Sequence, residues 1–251
     1  MSDPFRLDGR VAVITGGGSG LGLAIARCYV DAGAKVLIVG QTASKLDIAI
    51  EKLGENARAH RADVTASDSA DGIINAACEA FGQLDIVVNN AGTHLKKPFE
   101  ETSSNEFRDV LDVHVTAAFD LTRAALPFLR VRGGSVIYLA SMASYLTIPQ
   151  VVAYTAAKSA VLGLVRATAA EVSEDGVRAN GIAPGWITSP MTEAALGNDP
   201  ARKAKIMSRT PMGRMGEDTD IGWAATYLAS EAAGFVNGHV LAVDGGAVTG
   251  F

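Results

Sequence analysis

The stretch VAVITGGGSGLG, Val11–Gly22, decides the fold. The apolar run VAVIT, rich in β-branched residues, reads as a strand. The glycines after it read as a tight turn, and LAIARCYVDAG reads as a helix that Gly33 closes. Glycine suits a turn where a ligand's pyrophosphate must come close to bare backbone. The helix beyond offers unpaired N–H groups and the positive end of its dipole. A P-loop is excluded, because no Gly-Lys-Ser/Thr follows. Taken alone, such a turn is as compatible with a structural role as with a ligand. Its position in the first strand–helix unit favours a dinucleotide.

Outward from this unit the pattern repeats. Strands are expected at KVLIVG (35–40), within ARAHRADV (57–64), and at LDIVVNNAG (84–92), SVIYLAS (135–141), VRANGIAPG (177–185) and HVLAVDGG (239–246). Helices are expected at SKLDIAIEKLG, at GIINAACEAFG and over 105–130, 153–173 and 220–229. The alternation predicts an α/β fold, a single doubly wound Rossmann domain over 1–251. Its seven-stranded, mainly parallel sheet would carry helices on both faces. The segment 187–217, broken by Pro and Gly, is the candidate substrate lid.

Composition narrows the function classes. The chain is 48% apolar and 20% charged, ordinary for a soluble globular protein. A net charge of -5 with scattered Lys and Arg argues against nucleic acid or an anionic membrane as partner. MSDPFRLDGR shows no signal peptide, and no apolar stretch is long enough to span a bilayer. Cys28 and Cys78 lack zinc-ligand or CxxC spacing, so two reduced thiols in a cytoplasmic protein are expected.

The turn has the spacing TGxxxGxG (Thr15–Gly22). With NNAG at 89–92 and YTAAK at 154–158, it resembles the short-chain dehydrogenase/reductase family in its compact form, along nearly the whole chain. The resemblance implies an NAD(P)-dependent enzyme that moves a hydride between nicotinamide and a carbonyl or secondary alcohol. It implies a cofactor loop of Gly16, Gly18, Ser19, Gly20, Leu21 and Gly22, and an adenine contact at Asp63 and Val64. The turn Asn89 to Gly92 would bring Asn90, Ala91 and Gly92 to the cofactor, and VDGG (243–246) matches the family's last strand. The segment PGWITSPM (184–191) would bring Pro184, Gly185, Ile187 and Ser189 to the nicotinamide. Ser141, Tyr154 and Lys158 match the catalytic set, the last two also bordering the cofactor. A homotetramer is implied as well, with the helices around 105–130 and 153–173 between subunits.

Tyr154 and Lys158 are one helical turn apart and share a face. A phenol is too weak an acid in water to serve as an efficient base near neutral pH. An ammonium one turn away is expected to lower its pKa, so that Tyr154 gives a proton to a carbonyl oxygen or takes one from an alcohol. Ser141 would hold the substrate oxygen.

His114 departs from the family, which usually has asparagine in a motif reading VNLxxxF where this chain has VHVTAAF. In the family that asparagine bends the helix and holds a water linking the catalytic lysine to solvent. An imidazole both donates and accepts, so His114 either replaces the amide in the relay or is a satisfied core residue that alters the helix. No metal is expected there, since no His, Cys or carboxylate stands at ligand spacing.

The end of the second strand reads VGQTASK. Gly40 stands where NAD-preferring members carry Asp, and Gln41 where NADP-preferring members often carry Arg. With no carboxylate to repel a 2′-phosphate, and with Gln41 and Thr42 able to bond it, NADP is favoured over NAD. THLKKPF after NNAG, with SYLTIPQVVAYTAAK and APGWITSPM, resembles the bacterial sugar-acid and polyol branch, as in gluconate dehydrogenases. His94, Lys96 and Lys97 either attract a substrate carboxylate or form a solvated face. Trp186, Met191 and Met207 would instead suit ketoacyl, steroid or small-ketone substrates. The rivals of another class are a catalytically silent cofactor-binding protein and an isomerase or dehydratase that uses tightly held nicotinamide transiently.

Overall fold

The structure is a computed structural model that describes residues 3–146, 148–188 and 200–250. Strands β1 (Val11–Thr15), β2 (Lys35–Gly40), β3 (Ala57–Arg61), β4 (Ile86–Asn89), β5 (Ser135–Leu139), β6 (Arg178–Pro184) and β7 (Val240–Val243) form one sheet. Their order is β3-β2-β1-β4-β5-β6-β7, and every neighbouring pair is parallel. The chain winds outward from β1 to β3, then returns to place β4 on the other side of β1. The carboxyl ends of β1 and β4 therefore border the crevice where the winding reverses, the usual ligand position in such sheets.

Alternation within each strand divides the core in two. Ala12, Ile14, Val36 and Ile38 face the layer formed by α1 (Gly20–Asp31), α2 (Ala43–Leu53) and a helix at Asp218–Ala229. Val13, Leu37 and Val39 face the opposite layer, with α3 (Ser69–Phe81), a helix at Ala117–Leu129 and one at Val152–Val172. Strands buried on both faces need apolar residues at nearly every position, which is why they read as runs rather than as alternating patterns.

The helix expected over 105–130 is interrupted. α4 (Ser104–Leu111) opens with a capping box, in which the Glu106 N–H donates to Ser103 Oγ at 3.2 Å and the Ser103 N–H to Glu106 Oε2 at 2.9 Å. It runs into a π turn at Asp112–Thr116 before continuing as α5 (Ala117–Leu129). π turns add one residue to a helical turn and shift the faces beyond it. His114 lies inside this one. After β5 come α6 (Val152–Val172), α7 (Pro200–Ser208), within the expected lid, and α8 (Asp218–Ala229).

In the first turn Gly16 and Gly20 adopt φ of +67° and +54°, where a side chain is strained. Gly22 is required for a different reason: a Cβ there would run into the Gly16 carbonyl oxygen and lie 2.5 Å from Asn90 Nδ2. Gly22→Ala is expected to lower stability by about 1–3 kcal/mol through overpacking, outweighing a helix-propensity gain of about 1 kcal/mol. Urea unfolding of the variant checks this.

Candidate active site

The hydroxyl of Thr15, the last residue of β1, stitches two strand ends together. It donates to Val88 O at 3.2 Å and accepts the backbone N–H groups of Asn90 and Ala91, both at 3.0 Å. Asn90 Nδ2 in turn donates to Thr15 O at 2.8 Å. Asn89 points the other way, donating to Thr122 Oγ1 on α5 at 3.0 Å. The glycine turn and the segment after β4 are thus one rigid unit at the crevice.

This turn fits a dinucleotide. Ser19 precedes α1 without bonding its side chain to the first-turn N–H groups, and no acidic residue occupies that turn. Nothing stands within 4 Å of where a Cβ on Gly20 would be. Uncapped donors, a dipole end and open backbone suit a pyrophosphate. At the far end of the crevice Pro184 closes β6, and Gly185 approaches Asp244 so closely that a Cβ would lie 2.6 Å from its Cα. Ile187 bridges to Gly216, and the Thr188 N–H donates to Gly216 O at 2.8 Å. Ser189 and Met191 lie outside the described residues.

Beside the glycine turn, β5 and α6 bring Ser141, Tyr154 and Lys158 together. Ser141 is buried, and its Oγ accepts the Ala143 N–H at 3.1 Å. Ser144 Oγ donates to Lys158 O at 2.7 Å, tying this turn to α6. Burial holds the Tyr154 phenol above its ordinary pKa, while a hydrogen bond with the Ser141 side chain pulls the other way. Lys158 is buried, its Nζ 5.7 Å from the Tyr154 ring centre and 2.5 Å from Leu139 O, to which it donates. Burial pushes its pKa down to about 7. In the chain by itself, desolvation moves both groups toward their neutral forms.

His114 is buried against the same group. A Cβ on Gly92 would lie 2.5 Å from its Cε1, so the imidazole packs directly on the bare Gly92 backbone. The ring meets Tyr154 edge-on, at 5.4 Å between centres. Nε2 lies 2.7 Å from Thr93 O and 3.2 Å from Thr93 N, contacts that select opposite tautomers. The shorter one assigns the proton to Nε2, donating to the carbonyl. Nδ1 is then a buried acceptor without a protein partner among the described residues. Burial, then the Lys158 charge, push the His114 pKa down to about 4, so the ring is neutral near pH 7. A cavity of about 10 Å³, the size that holds one water, is lined by Thr15, Asn89, His114 and Lys158 among others.

Other expected residues divide. Asp63 accepts from the Thr65 N–H and Oγ1–H at 2.9 and 2.7 Å, which with the Gln41 side chain holds its carboxyl below the usual range. Lys97 is committed, with Nζ at 2.9 Å from Glu106 Oε1, whereas Lys96 is exposed. His94, not given a catalytic place from sequence, stacks at 5.1 Å from the Tyr154 ring. Among the described residues, no group of three His, Cys, Asp or Glu is placed to hold a metal ion, and no helix is long and apolar enough to cross a membrane.

A family profile described as Enoyl-(Acyl carrier protein) reductase matches residues 16–248. The chain is 37% identical to the 5-keto-D-gluconate 5-reductase of Escherichia coli (strain K12), over 98% of both proteins. It superposes with a TM-score of 0.94 on a solved chain assigned as a short-chain alcohol dehydrogenase of Sinorhizobium meliloti 1021. That match is 34% identical and covers 99% of this chain and 100% of the other. A solved chain from Beutenbergia cavernae, assigned as an NAD(P)-dependent gluconate 5-dehydrogenase and carrying NADP at low occupancy, is 40% identical. It covers 98% of this chain and 99% of its own, with a TM-score of 0.89. The chain belongs to the short-chain dehydrogenase/reductase family of nicotinamide-dependent oxidoreductases.

The buried lysine makes stability depend on pH. In the unfolded chain Lys158 stays protonated up to its ordinary value of 10.5; in the folded chain it does so only up to about 7. Between these values the unfolded chain binds more protons, so stability rises with pH, by at most about 1.4 kcal/mol per unit from this group. Urea titrations between about pH 7 and 9 should show a steeper rise in the native chain than in Lys158→Met.

Proposed function

We propose that the chain interconverts a keto and a hydroxyl group on a sugar acid, with NADP as its preferred nicotinamide. The observation that carries the chemistry is the convergence of Ser141, Tyr154 and Lys158 beside the glycine turn, at the carboxyl edge of the sheet. Relatives named for keto-gluconate and gluconate substrates support the sugar acid, and the NADP-bound relative supports the cofactor. His94 beside Tyr154 and the exposed Lys96 offer a donor and a positive charge to a carboxylate. The reading includes a cytoplasmic homotetramer, for which exposed Phe119 and Phe128 on α5 supply apolar surface, and a lid over 187–217.

The nicotinamide, when bound, supplies or accepts the hydride. The glycine turn would hold its pyrophosphate, and Asn90, Ala91 and Gly92 its inner side. In the reducing direction the Tyr154 hydroxyl gives its proton to the substrate's carbonyl oxygen, which the Ser141 hydroxyl holds in reach. The Lys158 ammonium stabilises the phenolate left behind. His114, acting through Lys158, is a positioning residue: its Nδ1 has no protein partner among the described residues, and it shares with the lysine the lining of a cavity with room for one water.

Tyr154→Phe should lower kcat by about 10²–10⁴-fold and leave nucleotide affinity unchanged, which absorbance turnover and titration calorimetry measure separately. An active Tyr154→Phe would remove the tyrosine from its role. For His114 the readout is the pH profile of kcat: His114→Asn, able to hold the same water, should keep it, and His114→Ala should lower and shift it. Full turnover with an unshifted profile in His114→Ala would dismiss the relay.

A further inference from the structure

The end of β2 offers the cofactor's adenosine ribose neither a carboxylate nor a cation of its own. Gly40 has no side chain, and the Gln41 side chain lies on the side of Asp63, whose carboxyl it helps to hold below the usual range. Neither fold nor packing demands glycine at position 40: a Cβ there would meet Leu46 Cδ2 at 3.5 Å, an ordinary contact, and its φ is not positive. The space beyond β2 is simply left open.

The neighbouring strand reaches into it. In the parallel register Gly40 pairs with Arg61, the last residue of β3. Arg61 is exposed, and its Nε donates to Gln41 O at 2.9 Å, which fixes the guanidinium across the β2 end. Its two terminal nitrogens have no partner among the described residues. Arg58, on the same strand, differs: its NH1 is spent on Glu55 O and Ala57 O, at 2.9 and 2.8 Å. Around Arg61 the local charge is favourable to an anion. Lys45 stands in the first turn of α2, that turn holds no acidic residue, and Thr42 does not cap it with its side chain. The nearby carboxylate, Asp63, is occupied by Thr65 and Gln41.

We propose that Arg61 reads the 2′-phosphate of the cofactor's adenosine ribose and sets the preference for NADP over NAD. This deepens the nicotinamide reading above and rests on it. A guanidinium held by Nε keeps its two outer N–H groups in a fixed fork, the geometry that matches two oxygens of a phosphate. Strand pairing places that fork beside a residue with no side chain to obstruct it. The selective residue thus comes from β3, adjacent in the sheet, and not from the turn after β2.

Calorimetry with cofactor fragments that cannot react tests this on the whole chain, with 2′,5′-ADP and 5′-AMP as the probes. The native chain should bind 2′,5′-ADP about 10–100-fold more tightly than 5′-AMP. Arg61→Ala should lose most of that ratio by weakening 2′,5′-ADP alone, Arg61→Lys should keep part of it, and Arg58→Ala all of it. The inference is overturned if Arg61→Ala keeps the native ratio, or weakens both fragments equally. Equal binding of both fragments by the native chain overturns the NADP preference itself, and no binding of either overturns the dinucleotide site. Those two results are distinguishable from a failure of Arg61 alone.

Discussion

One hydroxyl holds the arrangement together. Thr15 Oγ1 spends its proton on β4 and its lone pairs on the two residues after β4, so the crevice between β1 and β4 has a fixed width. From there the constraint passes along the chain. Asn90 is pinned against the glycine turn, and Gly22 must be bare where that amide packs. Gly92 must be bare where the imidazole packs, and Thr93 then holds His114 Nε2 with its own backbone. His114 is thereby aligned with Tyr154 and the lysine behind it. The glycine turn and the cluster of His114, Tyr154 and Lys158 share a single support.

That support holds groups that are costly to bury. Lys158 has one protein acceptor within hydrogen-bond distance, Leu139 O, and His114 Nδ1 has none among the described residues. A core built for stability would contain neither. Both are displaced toward neutrality by burial, and the lysine charge adds to the histidine's displacement. Polar groups left partly unsatisfied beside a water-sized cavity, next to an irregular helical turn, mark a place where local stability has been given up for chemistry.

Much of this was legible in the sequence because it depends on local rules. Apolar runs alternating with helical spacing give the doubly wound sheet, whose strands are all parallel. The glycine turn and the i,i+4 pair Tyr154 and Lys158 follow from spacing, and Ser141, just past β5, from the family resemblance. What could not be read depends on contacts between segments distant in sequence. The third strand ends at Arg61 and not beyond, because Gly40 is the last partner β2 offers. The helix over 105–130 contains a π turn at a position where composition shows only an apolar segment with one histidine. Lys97, which the sequence leaves open between a carboxylate ligand and a solvated face, pairs with Glu106, nine residues on. Thr15 opens the glycine motif in the sequence, but only the proximity of the segment after β4 gives its hydroxyl a task.

The two shifts at the centre of the site run in opposite directions. Burial raises the Tyr154 phenol and lowers the Lys158 ammonium. Near pH 7 the state with phenol and free amine, and the state with phenolate and ammonium, contain the same protons and the same net charge. Exchanging one for the other brings no charge in from solvent. It creates an ion pair where there was none, and opposite charges attract strongly in a site that excludes water. His114, displaced to about 4, stays out of that exchange as a neutral acceptor. A charged imidazole would set a second cation against Lys158 and oppose the ammonium that the phenolate needs. Burial thus gives histidine at position 114 the neutrality that asparagine has by its nature.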